Sequence, residues 1–220
     1  MKIAMRNLAV IAIVAAASAI HAGESQTILL PQKEEIPLAL QAAPPHLRAE
    51  ATVYVFGKDG YRKVRSGKNG FVCLVNRDGN QAGDNQLKPT CWDAEGSRTI
   101  VPVVLRVGEL IARSTSQEEI KRDIDDGFTS GKFSSPQKTG IAYMLLGDLL
   151  FDPRTQNITK TAFPPHYMIY APGVSSADIG MTTQTGKSQF ALPTVYAGCS
   201  GGTRTAYIIV LATAGTGHTH

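Results

Sequence analysis

The residues with the most chemical promise come as a repeated tripeptide, Pro44-Pro45-His46 and Pro164-Pro165-His166. A proline pair stiffens the backbone and would hold the imidazole out from a rigid elbow, as a preorganised ligand or base is held. Two imidazoles, His46 and His166, with a nearby carboxylate suit zinc or copper, and a soft Met or Cys sulfur shifts the preference to copper. The plainer reading is that each tripeptide breaks a helix or starts a strand, its His bonded to nearby backbone. No His-x-x-x-His spacing supports the metal. A second chemistry uses His166 as general base and Asp178 as the carboxylate that orients it. Tyr170, Tyr143 or Tyr167 would then be the proton donor.

Other constellations are weaker. Ser175 and Ser176 lie near, but there is no Gly-x-Ser-x-Gly elbow to present a nucleophile. Gly198-Cys199-Ser200-Gly201-Gly202 contains the Ser-Gly-Gly of trypsin-like proteases, yet Cys199 stands where that family has Asp, and a Gly-rich turn accounts for it. Asp123-Ile124-Asp125-Asp126-Gly127 imitates a calcium loop only in part, with no Glu at the required distance. Asp93-Ala94-Glu95 is a second acidic group, and His218-Thr219-His220 ends the chain on a tail without preorganisation.

The elements that must position these residues can be read from periodicity. Lys33–Ala42 reads as a short helix ended by Pro44-Pro45, with a helical turn beginning at Pro45. Thr52–Phe56, Tyr61–Arg65 and Phe71–Val75 read as an antiparallel meander, turned by Lys58-Asp59-Gly60 and Asn69-Gly70. Cys91-Trp92-Asp93 is a short fourth strand with Ala94-Glu95-Gly96 as its turn. A helix follows Pro102, carrying Val103, Leu105, Leu110 and Ile111. Ser116-Gln117-Glu118-Glu119 is a capping box opening a second helix, with Ile120, Ile124 and Phe128 as its apolar stripe and Gly131 at its end. Ile141–Leu145, Tyr167–Tyr170 and Ala206–Leu211 are strands, the last apolar enough to be central. Turns are expected at Asp152–Thr155 and Ala171–Gly173, and an exposed loop at Thr182–Ser188. Strands, then helices, then strands imply an α+β fold, a meander followed by a helical segment and further strands of a mixed or antiparallel sheet.

Address and composition bound the function. Met1–Asn7 is basic, Leu8–Ile20 is uncharged, and a polar stretch follows Ala22. This is the pattern of a secretory leader, and the apolar run is shorter than the about 20 residues of a membrane span. Cleavage is expected after Ala22, with Ala19 as second choice, and no Cys stands at either position to carry a lipid. Residues 1–22 are then the leader, 23–43 an arm with a short helix, 44–213 one globular domain and 214–220 a flexible tail. With 43% hydrophobic and 18% charged residues the chain can build a packed core. Its 22 basic residues fall to 20 when Lys2 and Arg6 leave, against 18 acidic, which argues against nucleic acid as a partner. In an oxidising compartment Cys73 and Cys91 are expected to pair, stabilising the fold by roughly 3 kcal/mol and leaving Cys199 over.

Several segments resemble a family of secreted bacterial proteins without an assigned activity: Pro45–Arg48 leading into Val53-Tyr54-Val55, Gly67–Cys73, Cys91–Gly96, Gly140–Leu145, Phe163–Met168 and Ala177–Gly180. The resemblance spans roughly residues 44 to 180. It implies an exported single-domain protein, with no reaction or ligand to carry over. The segment around Cys199 and the His-ended tail fall outside it. The sequence therefore leads to a periplasmic or secreted binding or accessory protein, its partner a small molecule or an envelope component, with no membrane span after cleavage. The alternative is a small exported enzyme, a hydrolase or a metal-dependent one, centred on His166.

Overall fold

The computed structural model describes residues 27–77, 85–161, 163–181, 193–197 and 201–212, and its helices and mixed sheet form the α+β fold expected. Thr52–Gly57 (β1) and Gly60–Arg65 (β2), rich in β-branched and aromatic residues, form an antiparallel hairpin. The third strand, Val72–Asn76 (β3), crosses to the far side of β1 and pairs with it in parallel, Val53 opposite Cys73. Asn69-Gly70 therefore turns a crossover connection instead of a β2–β3 hairpin. The amides of Lys68 and Asn69 are bonded to the carbonyl of Glu50, tying this connection down. Gln86–Trp92 (β4) runs antiparallel to β3 and is longer than its sequence signal, with Cys91 opposite Cys73 and Trp92 opposite Val72. Cys73 and Cys91 form the expected disulfide.

The helical layer begins earlier than the sequence suggested. Ala94-Glu95-Gly96 is the first turn of a helix, Ala94–Thr99 (α3), because the Asp93 carboxylate accepts from the Gly96 amide and caps it. It leads into Val101–Ala112 (α4), with Pro102 in the opening turn where a missing N–H costs nothing. Gln117–Thr129 (α5) starts with the Ser116–Glu119 capping box. Its Ile120 and Ile124 pack with Phe133 against Val103, Val107 and Leu110 of α4.

The sheet follows the order β2-β1-β3-β4-β5-β8-β10-β9, where β5 is Ile141–Met144, β8 His166–Tyr170, β9 Thr194–Tyr196 and β10 Tyr207–Leu211. The very apolar β10 is thus next to the edge, between β8 and β9. Leu149–Asp152 (β6) and Asn157–Lys160 (β7) form a further hairpin through the Asp152–Thr155 turn, and β6 pairs with the start of β4. β5 and β6 therefore lie along one edge of β4, as a single bent path, and β7 and β8 follow the same bend. Pro164-Pro165 occupies its corner. There Gly147, at φ +69°, lies so close that a Cβ would stand 2.4 Å from the Phe163 carbonyl oxygen.

One face of β1, β3 and β4 is covered by Gln32–Gln41 (α1). Ala39, Ala42 and Ala43 pack there with Val53, Val75, Leu87 and the disulfide, so the helix assigned to an N-terminal arm belongs to the core. The opposite face carries Leu74, Trp92, Ala142, Met144, Met168, Tyr170, Tyr207 and Ile209 beneath Ile100 and Val101. The expected leader, the expected Thr182–Ser188 loop, Cys199 and the C-terminal residues 213–220 lie outside the described residues.

Candidate functional site

Pro164-Pro165 sends the chain around the bend, and the strand after it alternates in direction. His166, Met168 and Tyr170 are buried, whereas Tyr167 and Ile169 face the other way and are half-buried. The ring of His166 is 2% exposed. Its Nδ1 donates to the Pro164 carbonyl at 2.8 Å, and the ring meets Phe163 edge-on with centroids 4.7 Å apart. Burial pushes the imidazole below its ordinary value, and the Pro164 carbonyl counters this in part. A neutral, tautomer-fixed His results. This is the backbone-bonded histidine of the plainer reading.

The other proposed site residues lie elsewhere. His46 is exposed on Pro45–Arg48 (α2), whose Leu47 packs on the α1 side of the sheet. The His166 ring is on the opposite face, so the two imidazoles do not converge. Among the described residues no three His, Cys, Asp or Glu side chains are placed to hold a metal ion. Asp178 is exposed in a 3₁₀ turn, Ala177–Ile179, and accepts from Ser175 at 2.8 Å (amide) and 2.7 Å (hydroxyl). Those two bonds hold its carboxyl below the usual range. Tyr143 and Tyr167 pair across β5 and β8 on the face away from His166, and Tyr143 stacks on Phe71.

Tyr170 finds a different partner, Asp93. Its hydroxyl lies 2.8 Å from Asp93 Oδ1 and 2.9 Å from the Ile141 carbonyl oxygen. Oδ1 also takes the Gly96 amide, and Oδ2 the Ile141 amide at 2.9 Å. Burial foremost, then the Asp93 charge, pushes the Tyr170 phenol far above its ordinary value. Such a phenol donates a hydrogen bond and keeps its proton. Gly96 and Gly140 make the cluster possible, since a Cβ on either would stand 2.2 Å from the Tyr170 hydroxyl and 2.4 Å from Asp93 Oδ2 respectively. Beside the cluster, Trp92 Nε1 donates to the Tyr207 hydroxyl at 3.1 Å, and the Tyr207 ring meets that of Tyr170 edge-on.

A second buried polar cluster escaped the sequence reading. Glu35 of α1 is fully buried, and Arg77 grips it with Nη1–Oε1 at 2.7 Å and Nη2–Oε2 at 3.2 Å. Glu35 also accepts from the Phe56 amide, and Arg77 donates to the carbonyls of Ile28 and Val75. These added bonds to backbone groups help offset the cost of burying the ion pair. The only sequence signal was Glu35 on the apolar side of a helix. The acidic group on α5 is likewise committed: Asp123 holds Arg106, and Asp125 holds Lys121 and Arg204.

Compared with protein families, curated proteins and solved structures, the chain matches none.

What the arrangement can do chemically follows from these bonds. Asp93 and Tyr170 bond to one another and to nearby backbone groups, His166 is buried with Nδ1 tied to a carbonyl, and Asp178 caps a turn at the surface. Each is a well-made structural device on a different element.

Proposed function

We propose that this is an exported binding or accessory protein, working on a small ligand or a component of the cell envelope, related to secreted bacterial proteins of no assigned activity. The observation that carries the reading is the dispersal of the groups fit for chemistry. His166, Asp178 and His46 sit on separate elements: His166 is buried with Nδ1 bonded to the Pro164 carbonyl, Asp178 is bonded within an exposed turn, and His46 is exposed. A rigid, stapled scaffold with its work on the outer surface fits that pattern. The disulfide supports an oxidising compartment, as does the leader-like N-terminal sequence. Among the described residues no helix is long and apolar enough to cross a membrane.

Fractionation of cells and N-terminal sequencing test the address, with Gly23 expected as the first residue of the periplasmic or secreted form. An abundant cytosolic form starting at Met1 would overturn it. Turnover of generic ester, peptide and glycoside substrates, wild type against His166→Ala, tests the choice between binder and enzyme. Activity present in the wild type and absent in that variant would decide for the enzyme.

A further inference from the structure

On the helical layer several positive charges are answered by carboxylates. Arg98 holds Glu95, Arg106 holds Asp123 and Glu109, and Asp125 takes both Lys121 and Arg204. The edge of the sheet at β2 differs. Arg48 donates to the Ala43 carbonyl at 2.8 Å, and Arg65 to the carbonyls of Ala51 at 2.9 Å and Arg48 at 2.5 Å. Arg62 donates to the Gln32 side-chain oxygen at 2.5 Å. Neutral oxygens fix these guanidinium groups in place and leave their charge uncancelled. Lys63 and Lys68 are exposed beside them, Lys63 lying over the half-buried Tyr54 ring. Over residues 44–70 the acids are Glu50 and Asp59, and Asp59 is taken by Lys58.

We propose that this edge, with Arg62, Lys63 and Arg65 along it and Arg48 and Lys68 at its end, is a docking surface for an anionic phospholipid bilayer. Guanidinium groups held by backbone carbonyls present their remaining N–H donors in a fixed fork, a shape that matches phosphate. Arg62 and Lys63 flank the two faces of β2, and Arg65 follows an irregularity in its register with β1, so the three charges lie within about 10 Å of one another along the strand, the scale of neighbouring headgroups. Leu29, 54% exposed and three residues ahead of the Gln32 that Arg62 grips, supplies an apolar side chain at the same end. A nucleic acid fits less well. The chain's net charge is only +4, and Tyr54 and Tyr61 at this edge are half-buried and unable to stack on bases. Charges on an edge strand also discourage pairing with another sheet, a role that requires no lipid.

The inference names the envelope component of the proposed function and rests on that reading only for the compartment. Purified protein tests it without reference to export. Sedimentation with vesicles of equal parts phosphatidylglycerol and phosphatidylcholine should show binding that high salt reverses, and pure phosphatidylcholine vesicles should show none. The triple variant Arg62→Gln, Lys63→Gln, Lys68→Gln should bind about fivefold more weakly per charge removed, about a hundredfold in all. A control triple, Lys138→Gln, Arg154→Gln, Lys160→Gln, removes the same charge from other exposed positions and should bind as the wild type. Thermal melting of both triples confirms that each is folded. Absence of binding to the anionic vesicles, or equal weakening by both triples, would overturn the proposal. So would binding to duplex DNA as tight as to the vesicles.

Discussion

The two halves of the sheet are held by different means. β2, β1, β3 and β4 are covered by α1 on one face and by the helical layer on the other, and they are cross-linked by a disulfide and a buried ion pair. β5, β8, β10 and β9 are covered by described residues chiefly on the α3–α4 face, and their interior polar device is the Asp93–Tyr170 cluster. On their other face Tyr143, Tyr167, Ile169, Ile208 and Val210 remain half-buried. The first half gains its rigidity from covalent and ionic ties between segments distant in sequence. The second gains it from one carboxylate that caps a helix, receives a strand amide and takes a phenol at once.

Breaking the ion pair should produce the largest effect. Glu35→Leu strands the Arg77 guanidinium in the core and should cost about 3–5 kcal/mol in urea unfolding, whereas Glu35→Leu with Arg77→Leu should recover most of that loss. A single variant as mild as the double would show that the pair is not a fastening of the first half. Next comes the disulfide. Cys73→Ala with Cys91→Ala should lose about 3 kcal/mol, and reductant should destabilise the wild type to the same degree while leaving the variant unchanged. In the second half, Tyr170→Phe removes the phenol from Asp93 and should cost about 1.5–3 kcal/mol. Combined with Glu35→Leu its effect should add, since the two clusters share no partner. A marked departure from additivity would mean that the halves behave as one unit.

The smallest effect is expected from pH. The folded state holds His166 below its ordinary value, so the unfolded chain binds its proton first as pH falls. The stability due to this group is complete above about pH 6.5, declines below it by at most about 1.4 kcal/mol per unit, and levels off once the folded form is protonated. Just below about pH 6.5, His166→Leu should flatten the unfolding midpoint against pH. The carboxylates of Asp123 and Asp125, lowered by Arg106 and by Lys121 with Arg204, titrate at more acidic pH than the onset of this loss.

Much of the fold was legible because it is written locally. The Ser116 capping box, the β1–β2 hairpin and the proline-bounded α1 depend on residues a few positions apart, where propensity and pattern suffice. The disulfide was legible from composition and from the compartment that the N-terminal sequence leads one to expect. What escaped depends on contacts across the chain. Strand β7, Asn157–Lys160, has a single large apolar residue, Ile158, and becomes a strand because β6 lies beside it. The parallel β1–β3 pairing was hidden because Asn69-Gly70 signals a turn without saying where the next strand docks. At the site, proximity in sequence suggested His166 with Asp178, while the fold joined Tyr170 to Asp93, which lies 77 residues away. Asp93 just ahead of a helix was a readable cap, but its phenol partner was not.

The grip of Arg77 on Glu35 also bears on how the chain avoids misassembly. Glu35 is synthesised 42 residues ahead of its partner, and until that guanidinium arrives its carboxylate is cheaply hydrated in water. If β3 docked one residue out of step, Arg77 would swing to the other side of the sheet and α1 would have to seal in a lone negative charge, a severe penalty. The pair therefore penalises any alignment of α1 on β3 that would leave Glu35 without its guanidinium.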